Sequence, residues 1–313
     1  MSPPDPVAAI NKIMTTTDEL RELLGPVGIW MPPPAAIGLD PGEFARTVED
    51  AGFSSVWIPG VNAAENLAAL EPLLAGTQRL VAATGIASVC TWSPADLAEA
   101  ADRLAGTYPG RFVLGLGVSH APAVEKLGRS YDRPYSAMAH YLAEMDHPAG
   151  HPAEPPTGQP VPRVLAALGP RMLELSRDEA DGAHPYFVPV EHTSFARQVL
   201  GPEPLLIPEM AVVLESERSA ALSAARAYAS RYLQLPNYVS NLRRFGYGTE
   251  DTDGAGSERL IDALIPRGPS VIAARTRQHL DAGADHVLLQ PLGADGGFSF
   301  ADLAPLAEAL AGL

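Results

Sequence analysis

The amino-acid sequence predicts an α/β protein of the (β/α)8 TIM-barrel type, and three observations support this fold class. The chain contains eight short apolar runs, amphipathic helical patterns separate nearly every pair of runs, and 313 residues are enough for eight such units. Strands that alternate with helices pair in parallel, because a parallel crossover needs a connection of helix length. An open, doubly wound sheet is the structural alternative. The eight predicted strands lie at residues 27–30, 55–58, 80–87, 112–117, 163–168, 182–188, 205–214 and 286–290.

The predicted elements of the first half have clear start and stop signals. Residues 1–26 form an N-terminal extension that is Pro-rich and then helical in pattern, and it ends at Gly25-Pro26. Residues 27–313 form a single barrel domain. Asp40-Pro41 and Ser93-Pro94 each begin a helix, with the polar residue as N-cap and the proline at the first helical position.

Two segments of the second half are insertions rather than regular units. Residues 146–162 include eight Pro or Gly in 17 positions, which predicts a flexible loop. The segment at about 218–283 is much longer than one crossover helix. We expect it to be a helical insertion that covers one mouth of the barrel.

Composition excludes several classes of function. The net charge of −15 argues against a nucleic-acid partner or an anionic membrane surface, and no apolar run is long enough to span a bilayer. With no signal-peptide pattern and a single cysteine, Cys90, the sequence predicts a cytoplasmic protein without a disulfide framework. Because Lys12 and Lys126 are the only lysines, Schiff-base chemistry has almost no candidate nucleophile. We therefore expect a small-molecule substrate.

Ser119 and His120 follow the predicted strand at 112–117, where a barrel places its chemistry. A nucleophile elbow would need glycine at position 121, which is alanine. Neighbouring side chains on extended backbone also point to opposite sides, so the two residues do not form a dyad. His120 is either a polar cap of the strand end or a titratable group that faces a cofactor.

Other strand ends offer binding groups. Gly169, Pro170 and Arg171 predict a helix N-terminus with an adjacent cation, which suits a phosphate, although an ordinary connection has the same pattern. A glycine within a strand, Gly85, often marks a bulge or a close approach to a ligand. Aromatic walls at Trp30 and Trp92 are as compatible with packing as with substrate contact. No metal is expected.

Six segments together resemble the luciferase-like monooxygenase superfamily, and within it the actinobacterial oxidoreductases that use the deazaflavin coenzyme F420. These segments are ATGIAS, TYPGRFVLGLGVSHAP, YDRPYSAMAHYL, ALGPRMLELSRDEADGAHPY, LPNYVSNLRRFGY and AGADHVLLQPL. The resemblance implies a bacterial-luciferase-like barrel, a homodimer, and hydride transfer between reduced F420 and a small organic substrate, with reduction of an activated C=C or C=N bond favoured.

The resemblance also implies roles for individual residues. Relatives carry a non-prolyl cis peptide after the third strand that supports the deazaflavin ring, and the matching pair is Gly85-Ile86. His120 occupies about the position of the relatives' acid–base residue and is the expected proton donor. The implied cofactor-binding residues are Gly60, Thr84, Gly85, Ile86, Ser119, His120, Gly169, Pro170, Arg171 and His184. The implied substrate contacts are Trp30, Trp92, Asn237 and Tyr238.

Gly60 departs from the family pattern, because many relatives have a carboxylate or histidine after the second strand. Three readings follow from the sequence: the F420 oxidoreductase, a monooxygenase that uses FMN and oxygen, and a catalytically impaired member that acts as a binding or partner protein. The negative charge also requires a local positive region for a polyanionic coenzyme, with Arg129 or Arg133 beside Arg171.

Overall fold

In a computed structural model, the described residues form ten short parallel strands that build the barrel. The structure describes residues 17–60, 63–128, 130–147, 161–215 and 217–313. The strands are β1 (Val27–Trp30), β2 (Ser55–Ile58), β3 (Val81–Thr84), β4 (Ala87–Ser88), β5 (Phe112–Gly117), β6 (Arg163–Leu165), β7 (Gly182–Ala183), β8 (Leu205–Leu206), β9 (Glu209–Val212) and β10 (Val287–Pro291).

The strands form a closed ring, which confirms the predicted barrel over the open sheet. Hydrogen-bonded neighbours run in the order β8, β7, β6, β5, β3, β2, β1, β10, β9, and β4 pairs with β5. β8 and β9 are two parts of one strand that is interrupted at Ile207-Pro208, and they pair with β7 on one side and β10 on the other. The ring therefore has eight strand positions.

Helices lie between and beyond the strands. They are α1 (Thr17–Leu24), α2 (Pro41–Asp50), α3 (Ala63–Ala75), α4 (Pro94–Thr107), α5 (Ala121–Lys126), α6 (Pro134–Asp146), α7 (Pro170–Glu179), α8 (Val190–Leu200), α9 (Arg218–Tyr232), α10 (Pro236–Arg244), α11 (Thr249–Thr252), α12 (Glu258–Leu264), α13 (Pro269–Asp281) and α14 (Leu303–Leu310). Five of these, α9 to α13, lie within the segment predicted as a helical insertion. Most of the predicted loop at 146–162 falls outside the described residues.

The predicted caps have the expected geometry. The backbone N–H of Glu43 donates to the Asp40 side chain at 2.8 Å, and that of Asp96 donates to the Ser93 hydroxyl at 3.1 Å. Gly25, which ends α1, has a φ of 56°, in the left-handed region that favours glycine.

Four predicted strands differ from the structure. Those at 163–168 and 182–188 end earlier than predicted, and those at 80–87 and 205–214 are each divided into two shorter strands. The strand at 205–214 breaks because Pro208 has no N–H for the ladder, and that at 182–188 contains Pro185. Backbone pairing nevertheless continues past β7, since the N–H of His184 donates to the carbonyl of Leu165 at 2.8 Å.

Alternation along the strands separates two cores. In β2, Trp57 packs inside the barrel, whereas Val56 and Ile58 pack outward against the helices. In β5, Val113 faces inward and Leu114 faces outward. This period of two is the pattern expected when both faces of a sheet are covered.

Helix α1 is part of the barrel and closes its amino-terminal end. Leu20 and Leu24 are buried in the same interior cluster as the inward-facing strand residues. Asp285, just before β10, holds this end together by accepting from Arg21 at 2.7 Å and from Arg197 at 2.6 Å. The carboxyl ends of the strands, where barrel proteins place their binding groups, form the opposite end, which we call the mouth.

Replacement of Gly115 by alanine should destabilise the fold. A Cβ at this position would lie 2.0 Å from the carbonyl oxygen of Thr84, so β3 and β5 would have to separate. We expect a loss of roughly 1–3 kcal/mol, the usual range for overpacking. Urea unfolding of G115A and of the control G312A, whose added Cβ meets no atom within 4 Å, checks this expectation. Equal stabilities of the two variants would contradict it.

Candidate active site

A backbone bulge follows β3 at the carboxyl end of the barrel. Gly85–Ile86 is a non-prolyl cis peptide, which confirms the geometry that the family resemblance implies. The N–H of Gly85 donates to Ile58 at 2.7 Å, and the N–H of Gly60 donates to Ile86 at 3.0 Å. Trp30 Nε1 donates to the carbonyl of Gly85 at 3.0 Å. Gly60, Gly85, Ile86 and Trp30 therefore lie together, as predicted residues of one site.

The two glycines of β5, Gly115 and Gly117, leave the space that the bulge occupies. A Cβ on Gly117 would lie 2.6 Å from the Ile86 side chain, and one on Gly115 would overlap the backbone of Thr84. The Thr84 hydroxyl donates to the carbonyl of Gly115 at 2.7 Å and accepts from its N–H at 2.8 Å. The Thr84 side chain is thus committed to the barrel wall, so only its backbone could serve the predicted cofactor role.

Ser119 and His120 turn the chain from β5 into α5. Ser119 has a φ of 63°, uncommon for a residue with a side chain, and its carbonyl accepts from the Tyr131 hydroxyl at 3.2 Å. His120 hydrogen-bonds to the side chain of Asn237, and its ring centroid lies 5.3 Å from that of Tyr238. Because α10 begins at Pro236, it delivers both partners, which were predicted as substrate contacts.

His120 is predominantly neutral at physiological pH. Burial lowers the pKa of its imidazole, and the hydrogen bond to Asn237 opposes the shift. Its Nδ1 is buried without a hydrogen-bond partner among the described residues. A buried nitrogen without a protein partner can pair with a bound ligand or a water.

The predicted phosphate turn begins α7. Gly169 is the N-cap without a side-chain hydrogen bond, and Pro170 is the first helical residue. The exposed Arg171 lies over the ring of Tyr135, with its Cζ 4.3 Å from the ring centroid. Arg133, exposed at the start of α6, is two residues from Tyr135. Arg129 lies outside the described residues.

His184 lies inside the barrel below the mouth. Its Nδ1 is 2.7 Å from the carbonyl oxygen of Ile207, so Nδ1 carries the proton and Nε2 is an acceptor. That Nε2 is buried and has no partner within the described ranges. Burial lowers the pKa of His184 to about 4, and its ring lies 5.1 Å from that of Trp57. It is therefore a neutral, polar wall group.

Trp92 follows β4 and packs partly buried against the outer core. Its Nε1 is buried without a hydrogen-bond partner in the described part of the chain. The contacts that join the other predicted site residues do not include Trp92, so its predicted substrate role stays a prediction.

A group of hydroxyls that sequence reasoning missed fills the barrel beneath the insertion. The tyrosine cluster comprises Tyr186, Tyr228 and Tyr232 together with Glu209 and Gln290. The Tyr186 hydroxyl lies 2.8 Å from that of Tyr228 and 2.7 Å from that of Tyr232. The Tyr228 hydroxyl is 3.1 Å from Glu209 Oε1. Glu209 is the single acidic residue within the apolar run LLIPEMAVVL, and this feature of the sequence could have indicated a buried carboxyl.

Glu209 is a protonated acid at neutral pH. It is 1% exposed at the start of β9, and burial raises the pKa of its carboxyl to about 8. The N–H of Phe187, at 3.3 Å, and the Tyr228 hydroxyl favour the charged form but do not reverse the shift.

The groups at the mouth fit a planar, polar cofactor. The bulge presents backbone beside a residue without a side chain, Gly60, and two imidazole nitrogens, on His120 and His184, lack partners in the described structure. Within the described ranges, no three His, Cys, Asp or Glu side chains gather as metal ligands would. None of the helices described combines the length and apolar character needed to cross a membrane.

The fold and the bulge after β3 are those of a luciferase-type barrel protein. A family model described as luciferase-like monooxygenase matches residues 40–260, and the chain belongs to this family.

Similar proteins include both deazaflavin and flavin enzymes. A 5,10-methylenetetrahydromethanopterin reductase of Methanolobus tindarius is 28% identical over 156 residues, 45% of this chain and 48% of that protein, so the match spans about half the relative's length. The F420-dependent tetrahydromethanopterin reductase of Methanopyrus kandleri has a TM-score of 0.73 at 17% identity, covering 92% of this chain and 98% of that one. The FMN complex of the oxygenating constituent of 3,6-diketocamphane monooxygenase from Pseudomonas putida has a TM-score of 0.63 at 16% identity, covering 91% and 95%. Both structural likenesses show the fold alone.

The free energy of unfolding should peak near pH 6.5. Burial lowers the pKa values of His184, His192, His279 and His286 to about 3–4, so between those values and 6.5 the unfolded chain binds more protons and stability rises with pH. Glu209 acts oppositely between 4.5 and about 8, because the folded protein then holds the extra proton.

Above pH 6.5 these histidines no longer oppose the effect of Glu209, so the free energy of unfolding should decrease by at most about 1.4 kcal/mol per pH unit. Urea unfolding from pH 5 to 9 should show this fall in the wild type and lose it in E209Q. The same fall in both proteins would contradict the assignment.

Proposed function

We propose that the protein is an F420-dependent oxidoreductase that transfers a hydride between reduced deazaflavin and a small organic substrate, favouring reduction of an activated C=C or C=N bond. The observation that carries the proposal is the bulge at Gly85 and Ile86 after β3, which hydrogen-bonds to the backbone of Ile58 and Gly60, with His120 at the end of the neighbouring strand β5. The likeness in fold to an F420-dependent tetrahydromethanopterin reductase supports the choice of cofactor, and the similarity to a 5,10-methylenetetrahydromethanopterin reductase supports a reduction.

The residues that would hold the cofactor are spread over the ends of four strands, β3, β5, β6 and β7. The bulge after β3 would support the ring, and Ser119 and His184 would line it. Gly169, Pro170 and Arg171 would hold the phosphate, since free N–H groups and a guanidinium both favour an anion. When bound, reduced F420 supplies a hydride to an acceptor carbon. The residues at these strand ends would hold that carbon close to the ring, which would remove much of the entropic barrier.

His120 handles a proton at this mouth. Its neutral imidazole has one nitrogen without a partner among the residues that the structure describes, and the Asn237 side chain hydrogen-bonds to the ring. Tyr238 packs against the imidazole and restricts its movement. Trp30, Trp92, Asn237 and Tyr238 are the proposed substrate contacts, and a homodimer is the proposed assembly.

An FMN-dependent monooxygenase is the second candidate, because the chain also resembles an FMN-bound enzyme and the family is described by monooxygenase activity. Oxygen consumption separates the two, since a reduced flavin reacts with oxygen readily and a deazaflavin poorly. Tight F420 binding without turnover on any of a broad panel of activated alkenes and imines would instead support the impaired binding protein that Gly60 raises.

Cofactor titration tests the proposal and the phosphate turn together. The wild type should bind F420 more tightly than FMN, and Arg171→Ala should weaken F420 binding by about tenfold or more, because charge-assisted hydrogen bonds contribute roughly 1.5–3 kcal/mol. Arg177→Ala is the matched control, since Arg177 lies on the same helix but pairs with Asp178 at 2.7 Å. Preferred FMN binding would replace the proposal, and equal affinities of the two variants would remove Arg171 from the site.

His120→Ala should slow the reaction of the loaded enzyme by about 10²- to 10⁴-fold, the usual effect of losing a general acid–base. Affinity for F420 should change little, because the phosphate turn is intact. The control is His140→Ala, an exposed histidine paired with Glu144. Stopped-flow absorbance of F420 measures both variants. Full activity of H120A would exclude the proton-handling role.

A further inference from the structure

Glu209 is a buried acid that the proposed chemistry of His120 does not use. Apart from backbone, its carboxyl contacts the hydroxyl of Tyr228, which reaches down from α9 into the barrel. From Tyr228 the hydroxyls continue to Tyr186 and then to Tyr232, with successive oxygen–oxygen distances of 2.8 and 2.7 Å. Four ionisable groups thus form one unbroken hydrogen-bonded chain.

The chain has two orientations that differ in the position of one proton. With Glu209 protonated, its O–H donates to Tyr228, and the tyrosine protons point toward Tyr232. With Glu209 ionised, every hydroxyl reverses and Tyr228 donates to the carboxylate. The amide oxygen of Gln290 lies 3.1 Å from the Tyr186 hydroxyl and 3.2 Å from that of Tyr228. It can therefore accept a hydrogen bond from either hydroxyl while the hydroxyls reverse.

The far end of the chain lies at the mouth. Tyr232 is only partly buried, whereas Glu209 is 1% exposed. The Tyr186 ring lies 5.1 Å from that of Trp30, which bonds the cis bulge. The Tyr232 ring lies 5.4 Å from that of Tyr238, which contacts His120. The hydroxyl chain therefore joins a sealed carboxyl to the residues proposed to surround the substrate.

We propose that Glu209 is a buried proton store that discharges through Tyr228, Tyr186 and Tyr232 to the substrate at the barrel mouth. The inference rests on the proposed reductase function and names the source of its proton. Glu209 acts through the tyrosines and is not itself in contact with substrate.

The proton and electrons balance in this scheme. Reduction of a polar C=X bond needs a hydride, which carries both electrons and comes from the reduced cofactor, and a proton. The carbon gains the hydride as the π bond breaks, and X gains the Tyr232 hydroxyl proton. Tyr186 then reprotonates Tyr232, Tyr228 reprotonates Tyr186, and Glu209 reprotonates Tyr228 and becomes a carboxylate. Water at the mouth recharges the chain in reverse after product leaves.

The surroundings of Glu209 keep its carboxyl protonated at neutral pH. The titratable groups that face it are Tyr228 and Tyr232 of α9, Tyr186 from the turn after β7, and Tyr238 of α10, with His184 and His120 beyond them. Among the described residues no cation forms an ion pair with it. His120 is held mainly neutral by burial, so its ring carries no extra proton at neutral pH; in this scheme it would orient X by a hydrogen bond while Tyr232 supplies the proton.

Infrared spectroscopy of the cofactor-free protein tests the store without catalysis. The wild type should show the carbonyl stretch of a protonated carboxylic acid that disappears as the pH rises through about 8, and E209Q should lack it. In Y228F the band should persist, and its midpoint should move to higher pH, because the hydroxyl that stabilises the carboxylate is gone. A wild-type spectrum without such a band at pH 6 would overturn the proposal.

Kinetics then test discharge. At pH 7, kcat of E209Q and of Y228F should fall by about tenfold or more with little change in KM. The loss should not exceed the ~10²- to 10⁴-fold effect of removing a donor that contacts the substrate directly. The wild-type decline of kcat above pH 8 should be absent in E209Q. Tyr141→Phe, which removes a tyrosine hydroxyl on α6 that donates to Ser93, is the matched control.

The outcomes separate this inference from the proposed function. If E209Q and Y228F retain the wild-type kcat and pH profile, the store plays no part in the reaction and the inference fails while the function stands. If the wild type reduces no substrate with F420, the proposed function fails, and with it the discharge step, whatever the infrared titration shows.

Discussion

The close approach of β3 to β5 is the constraint on which the mouth of the barrel depends. The carbonyl of Thr84 occupies the space where any side chain at Gly115 would stand, and Ile86 occupies the corresponding space at Gly117. This approach lets the chain leave β3 in a bulge whose backbone groups bond Gly60 and Trp30. The arrangement of the side chains around a ligand therefore depends on Gly115 and Gly117, which have no side chains.

The sequence predicts the barrel because hydrophobic period and helix caps are local properties. The alternation of Val56, Trp57 and Ile58 and the cap at Asp40 can be read from adjacent residues. Strand ends are harder, since a ladder stops where a partner or an N–H is missing. The break at Pro208 is visible in the sequence, but nothing local shows that the two pieces pair on different sides of a closed ring.

The site is less predictable because it joins residues far apart in the chain. Ser119, His120 and Gly169 follow predicted strands, and the barrel rule places them at one mouth. The cis geometry of Gly85–Ile86 follows only from the family resemblance. The contact of His120 with Asn237 and the bond of Tyr228 to Glu209 depend on how α9 and α10 fold over the mouth, which the helical pattern of that insertion does not specify.

The two ends of the barrel treat polar groups differently, and this difference locates the chemistry. At the amino-terminal end, His286 donates to the carbonyl of Gly25 at 2.9 Å and accepts from Ser55 at 2.7 Å, and Ser55 in turn accepts from Trp57 at 3.1 Å. Every polar atom of that network is paired, so it stabilises a neutral core and offers nothing to a ligand.

Toward the carboxyl end, the imidazoles of His120 and His184 each keep one buried nitrogen without a partner in the described structure. Leaving such atoms unpaired costs about 1–3 kcal/mol each, a cost that a bound ligand can remove. Because the His286 network is fully paired and the imidazoles at the carboxyl end are not, within the part of the chain that the structure describes, a ligand would stabilise the barrel at its carboxyl end.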